Sequence, residues 1–451
     1  MTQIAIVGSG QAGLIAAHGL LRAGYDVTLY SDRSPEDWLE RGRPTGTAVR
    51  FGHSLAYERE VGLDDGHLQA PPIEGLKVTV SSGAAKPFLT MNSRFQTAPL
   101  AIDLRWQSAA WLRKFTARGG KLVIERVSEA RIDQIAAEHT LTIVATGKQG
   151  GQLFERDEPR SPRAGPARRL AMVNCVGPSL RFADLPCMAA KFTVFEGLGE
   201  CYWTPYFHMS ERPVWNLVFE ARPDTSYDRF QHAESGEEVL SIAKQVVREM
   251  TPWDAEWLGS ARLADPNSWL VGAITPTVRR PVRRSANGRP IVPLGDAYLS
   301  FDPLGAQGAN MGNRLAQSFV SAIVRRGDRP FDDEWIRDTY DAFYKRWGGP
   351  AMRWTDLLLS PMSAATRYFL LAQQGADGRT YHGTPKQRLA DTFAQTFDDP
   401  LILVDTLRDF AQTRRFVAGV MGRRADLQAA RGLLRVGARR LRNSLAPAAS
   451  R

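Results

Sequence analysis

The stretch QIAIVGSGQAGLIAAHGLLRAG, residues 3–24, constrains this chain more than any other part of it. An apolar run ending in glycine reads as a buried parallel strand. Gly8, Gly10 and Gly13 then form G-x-G-x-x-G, and LIAAHGLLRAG continues as an apolar-faced helix closed by Gly24. With the strand DVTLY behind it, the segment is a βαβ unit. Its glycines permit a tight turn, let the backbone approach a pyrophosphate, and bring helix against strand. The helix N-terminus offers free N–H groups and partial positive charge to phosphates. A dinucleotide is therefore expected here. An acid at the end of the second strand should hold the ribose hydroxyls, and Asp32 stands one place later than the commonest pattern.

A second glycine-rich stretch, GDAYLSFDPLGAQGANMG, occupies residues 295–312. An NAD-binding domain does not ordinarily need one so far along the chain, whereas extended FAD needs a cradle for its ribityl chain and ring. Asp296, after the strand IVPLG, is placed to accept hydrogen bonds from ribityl hydroxyls. LGAQGANMG then opens a helix whose first N–H groups can face the flavin pyrimidine edge, where reduced flavin carries negative charge. On this reading the glycines are present because a Cβ would collide with the ring.

Between these motifs, DLRWQSAAWLRKFTARGG reads as a helix, and KLVIE and LTIVATGK as strands. Residues 155–169 are proline-rich and charged and mark a crossing between domains. KFTVFE, ECYWTPYFHM and PVWNLVFEA belong to a run of strands from about 170 to 275, and the text is helical after residue 313. The expected architecture is α/β. Residues 1–165, with a substrate-side segment near 50–98, and 286–330 form a Rossmann-like FAD domain. Residues 166–285 form an inserted, mostly antiparallel substrate domain, and 331–451 a helical C-terminal region.

No run of the sequence approaches the length needed to span a bilayer, and the N-terminus enters a strand at once, so a cytoplasmic location without stable membrane insertion is expected. Three unpaired cysteines suit buried thiols and leave no metal motif. The net charge of +10 is scattered and lacks a basic-aromatic module, which argues against nucleic acid. The C-terminal RRADLQAARGLLRVGARRLRN reads as a solvated or loosely packed tail rather than a membrane anchor.

Residues 295–312 resemble the G-D…D-P…G-Q-G-A-N-M segment of flavin monooxygenases of the para-hydroxybenzoate hydroxylase fold. More narrowly, VTLYSDR, RGGKL, ATGK, GLGECYWTP and residues 288–312 are similar to the styrene and indole monooxygenase group, over roughly residues 1–350. The resemblance implies reduced FAD delivered by a separate NAD(P)H-dependent flavin reductase. It also implies O2 and oxygenation of an apolar aromatic or alkene, such as epoxidation, through a flavin C4a-hydroperoxide. By motif position it transfers Gly8, Gly10, Gly13, Arg105, Asp296, Pro303, Gly305, Gly308, Ala309 and Asn310 as flavin contacts. Arg43 and Thr47 fall where the family brings a loop toward the flavin; Gly46 stands where an Asn is common. With Pro303 these two are the catalytic-loop candidates.

The dinucleotide fingerprint occurs once, and ATGK lacks the Asp-Gly pair of single-component hydroxylases, which points to reduction elsewhere. No nucleophile–base triad is evident, and His53 and His208 are expected to be structural. Tyr202, Trp203 and Phe207 either wall the substrate pocket or fill the sheet core. A flavin-dependent halogenase of the same fold and a non-catalytic FAD-binding protein are the alternative readings, and a homodimer is compatible with the chain.

Overall fold

The computed structural model describes residues 2–81, 87–182 and 185–445. β1 (Gln3–Val7) lies inside a six-stranded sheet, parallel to β2 (Asp26–Ser31) on one side and to the strand Leu141–Val144 on the other. Lys121–Ile124 and Pro290–Pro293 extend the parallel set, and Arg283–Arg284 adds an antiparallel edge. Helices on both faces bury Ile4, Ile6, Leu29 and Ile143 completely, which is why these strands are nearly all apolar.

The parallel order places three distant segments side by side. The N–H of Ala145 donates to the Val7 carbonyl at 2.7 Å, and that of Leu294 to the Val144 carbonyl at 2.8 Å. The turns after β1, after Val144 and after Pro293 therefore open on one edge, the carboxyl ends of the strands, where α/β sheets bind ligands.

An eight-stranded sheet forms the second layer. Arg169–Val176, Val214–Ala221, Gly199–Tyr206 and Ala189–Phe195 are antiparallel neighbours, and Gly75–Ser81 joins parallel to Ala189–Phe195 with Leu89–Arg94 beyond it. Alternation divides the faces. Cys201, Trp203, Leu217, Phe219 and Val173 pack beneath the helix Gly236–Met250, while Tyr202, Tyr206, Asn216, Val218 and Glu220 point the other way. The strand Val214–Ala221 is buried along its whole length, because both faces are covered.

The helices Gly308–Arg326 and Asp333–Phe343 complete the first layer, and those from Gly349 to Met421 cover the far end of the second sheet around Trp354, Phe369, Phe393 and Phe397. The last helix, Ala425–Leu445, packs on Ala364–Ala372. The expected helical region extends to residues 446–451, which lie outside the described residues. Cys175, Cys187 and Cys201 are free and buried, and burial pushes the Cys175 and Cys201 thiols up to about 12.

Trp203 is 1% exposed and stacks on Trp257 with centroids 5.1 Å apart and planes 8° from parallel. The Lys191 ammonium, ion-paired with Asp254, lies 4.8 Å over its ring. Trp203→Ala should therefore cost about 3–5 kcal/mol of stability, read as a lowered urea midpoint. An unchanged midpoint would show that this ring is not part of the core.

Candidate functional site

Two helix N-termini meet at the carboxyl edge of the first sheet. α1 (Gln11–Arg22) starts after Gly10, and the second helix, Gly308–Arg326, starts after Gln307; neither has a side-chain cap. Many helices elsewhere are capped, as by Ser34, Asp103, Ser128, Ser235 and Asp332, though Gly52–Glu60 and Gly349–Leu359 are not. The two ends are fastened together. Gln11 Nε2 donates to the Ala309 carbonyl at 3.2 Å and to Asn313 Oδ1 at 2.7 Å. The Ala12 methyl carbon lies 3.0 Å from the Cβ that Gly295 would carry and 3.4 Å from that of Gly312.

The glycines of both motifs separate into two kinds. A Cβ on Gly13 would stand 2.1 Å from the Gly8 carbonyl oxygen, and one on Gly8, whose φ is +116°, would strike Ala145. A Cβ on Gly305 would meet Thr355 Oγ1 at 2.5 Å. The protein's own packing requires these glycines. On Gly10 the added carbon meets nothing within 4 Å, and on Gly308 only Asp296 Oδ1 at 3.8 Å. The expectation that a flavin bares the whole 295–312 backbone is thus corrected: Gly295, Gly305 and Gly312 accommodate protein, and Gly308 faces open space. Pro303 and Ala309 keep partial exposure beside it.

Asp32 is exposed at the end of β2, 3.7 Å from Arg33. Asp296 lies below the start of the second helix. Burial pushes its carboxyl up, and the charges of Lys148 and Arg279 pull it back. Arg105 lies elsewhere. Its guanidinium contacts Asp103 at 2.7 Å, Asp265 at 2.9 Å, His208 at 3.0 Å and Ser268 at 3.3 Å. Against the cost of burial, Asp103 and Asp265 keep it charged. Against the same cost, His208, Arg105 and Ser268 hold Asp265 well below the usual carboxylate range. The expected Arg105–flavin contact is corrected to a strut joining the helix Leu104–Ala117 to the edge of the second sheet, with His208 structural inside it.

Asn310 is a clamp. Its Oδ1 accepts from the Phe51 N–H at 3.0 Å and Ser54 Oγ at 2.8 Å, and its Nδ2 donates to the Val49 and Ala306 carbonyls, both at 2.8 Å. With those four bonds made, the side chain has no capacity left for a flavin. It fixes the 41–50 loop instead. Arg50, fully buried and paired with Glu58 at 2.8 Å, donates to the Ala48 carbonyl at 2.9 Å. Thr47 donates to Asn216 Oδ1 at 2.6 Å, and Asn216 donates to Asn174 Oδ1 at 2.6 Å. The loop thereby reaches the inner face of the second sheet. Arg43 is exposed, with its guanidinium 5.2 Å over Trp269.

Tyr202, Trp203 and Phe207 are not brought together. Tyr202 faces inward, and its hydroxyl reaches Thr47. Trp203, its neighbour in an extended strand, must face the opposite way, under the helix Gly236–Met250. Phe207 is enclosed by Trp106 at 5.0 Å and Arg212 at 4.3 Å. Of the three, Tyr202 alone lines the space between loop and sheet.

Sequence reasoning missed a pair of acids. Glu220 and Asp302 are both fully buried and face each other where the Pro303–Gly305 turn meets the second sheet. Asp302 Oδ1 accepts the Leu304 N–H at 3.1 Å; the other three carboxyl oxygens have no donor among the described residues. Burial pushes both acids up. Glu220 rises further, with the charge of Asp302 beside it. The available signal was an acid at an inward position of the apolar strand VWNLVFEA.

The protein-family model described as "Styrene monooxygenase A putative substrate binding domain" matches residues 147–257. Styrene monooxygenase StyA of Pseudomonas fluorescens is 27% identical over 407 residues, covering 88% of this chain and 93% of that protein. The StyA of a Pseudomonas species is 26% identical over 412 residues, covering the same shares. The chain is similar to the styrene monooxygenase group. Among solved structures, a triple mutant of the flavin-dependent brominase Bmp2 aligns with a TM-score of 0.62 at 14% identity over 91% of this chain and 99% of that one. The p-nitrophenol 4-monooxygenase PnpA from Pseudomonas putida gives 0.57 at 15% over 92% and 99%. The fold is the para-hydroxybenzoate hydroxylase fold, and these similarities support an FAD-dependent monooxygenase. Its residues fit that cofactor: two uncapped helix ends stand beside the open faces of Gly10 and Gly308.

Two outcomes test this geometry. Gly10→Ala should leave the unfolding midpoint unchanged and weaken FAD binding about tenfold or more, whereas Gly13→Ala should lose about 1–3 kcal/mol of stability. Fluorescence titration and urea unfolding read both, and equal behaviour of the two variants would refute the division. Glu220 has a raised folded pKa, so its stabilising contribution is complete below the unfolded carboxyl value near ~4.3 and is lost as pH rises toward the folded value. Glu220→Gln offers an amide donor to Asp302 and does not titrate. Its stability should gain on the parent as pH rises above about 5, by up to ~1.4 kcal/mol per pH unit. A difference constant with pH would show that Glu220 is not raised in the folded protein.

Proposed function

We propose that this chain uses reduced FAD, delivered by a separate NAD(P)H-dependent flavin reductase, and O2 to oxygenate an apolar aromatic or alkene substrate. Epoxidation of a styrene- or indole-like double bond is the reaction proposed. The observation that carries the reading is the pair of uncapped helix N-termini beside Gly10 and Gly308 in a styrene monooxygenase-like chain.

On this reading the Gly8–Gly13 turn and α1 hold the pyrophosphate, Asp32 the ribose, and Asp296 the ribityl hydroxyls. The amides of Gly308 and Ala309 meet the electron-rich edge of the ring. When bound, reduced FAD supplies the electrons that activate O2, one atom going to the substrate and the other to water. The protein's part is positioning and exclusion of water. Amides aimed at a helix start favour negative charge there by about 0.3–1 kcal/mol, more where solvent is excluded. Thr47, held by Asn216, and Pro303 border the space that the substrate would enter. The inner face of the second sheet is the proposed substrate side, with Tyr202 as its contact residue. Val218 and Phe192 give that face apolar surface between Asn216 and the buried Glu220–Asp302 pair. Halogenase chemistry on the same fold would give a different product mass.

The test uses the purified chain, catalytic FAD, a generic flavin reductase, NADH and 18O2, with styrene, indole and thioanisole as substrates. Styrene oxide carrying one labelled atom is expected, unchanged by added chloride or bromide. NAD(P)H should not bleach bound FAD until the reductase is added. Direct bleaching would overturn the two-component reading, and a halogenated product would overturn the oxygenation reading.

A further inference from the structure

The helix Ala425–Leu445 has one packed face, formed by Ala425, Ala429, Gly432 and Val436. A Cβ on Gly432 would stand 2.6 Å from the Leu371 carbonyl oxygen, which shows how closely that face lies on the helix Ala364–Ala372. The opposite face should be polar in a helix with one packed side. Instead Leu427 and Leu434 stand there one heptad apart, 52% and 73% exposed, with Ala430 between them. Arg431, Arg435 and Arg442 run along one side of this stripe and are exposed. The one acid in the helix, Asp426, is occupied by Arg414 at 2.6 Å and Tyr368 at 2.8 Å.

We infer that this outward face is a docking surface for an anionic lipid bilayer. Charge selects the occupant. A second copy of the helix would bring like-charged arginines together along the seam, whereas lipid phosphates neutralise them while the leucines enter the boundary between headgroup and acyl chain. Contact is peripheral, because no helix among the described residues is long and apolar enough to cross a membrane. Arg440 secures the helix to the body of the protein through Glu196 at 2.7 Å and the Phe88 ring at 4.6 Å, so the stripe is held outward. The inference is independent of the proposed substrate and of FAD.

Co-sedimentation of the full chain with vesicles of phosphatidylcholine alone, and of phosphatidylcholine with phosphatidylglycerol, tests it. Binding to the anionic vesicles should be about tenfold stronger or more, and should fall steeply as salt is added. The double variants Leu427→Gln/Leu434→Gln and Arg431→Gln/Arg435→Gln should each lose about tenfold in binding while keeping the parent's unfolding midpoint. Equal binding to both vesicle types, or variants that bind like the parent, would overturn the proposal. So would leucine-dependent dimerisation in sedimentation velocity without vesicle binding, which would assign the stripe to a second copy.

Discussion

The close approach of two helix starts is the constraint on which the site depends. Ala12 fits against Gly295 and Gly312 because neither carries a side chain, and Gln11 closes the contact by bonding to Ala309 and Asn313. Bringing two positive helix ends together is electrostatically unfavourable unless something negative lies between them. The two starts are uncapped, and the Cβ positions of Gly10 and Gly308 face open space there, a combination that suits an anionic ligand.

The first layer was legible because its signals are local. A strand–glycine turn–helix specifies its own geometry, and the order of the strands follows from apolar runs that must be buried on both faces. Gly8, Gly13 and Gly305 are sites of close approach by protein, Gly10 and Gly308 are open, and sequence does not say which is which. Gly305 and Gly308 look alike in LGAQGANMG, yet one is closed by Thr355 from a helix far along the chain and the other is open. The side chains of Arg105 and Asn310 share this difficulty. Both lie in recognisable motifs, and their partners, Asp265 and the 49–54 backbone, are supplied by the tertiary fold.

The second layer was legible as strands and less so as faces. CYWTPYF gives the alternation directly, but sequence alone does not decide which parity turns inward, because both faces of this sheet are covered. Aromatic character favoured Trp203, and packing beneath the helix Gly236–Met250 sends it outward. What distinguishes the inner face is polarity: Asn174, Asn216, Glu220 and the Tyr202 hydroxyl form a line that an apolar pattern search passes over. Buried polar groups of this kind fix position better than apolar ones do, since each must keep its partner.

The cysteines bear on how long such a catalyst lasts. A protein that brings reduced flavin and dioxygen together works in the presence of the oxidants this mixture generates, and the thiolate is the form of cysteine that those oxidants attack. With Cys175 and Cys201 fully enclosed and held protonated far above neutral pH, and Cys187 buried as well, the chain offers its own by-products little to consume.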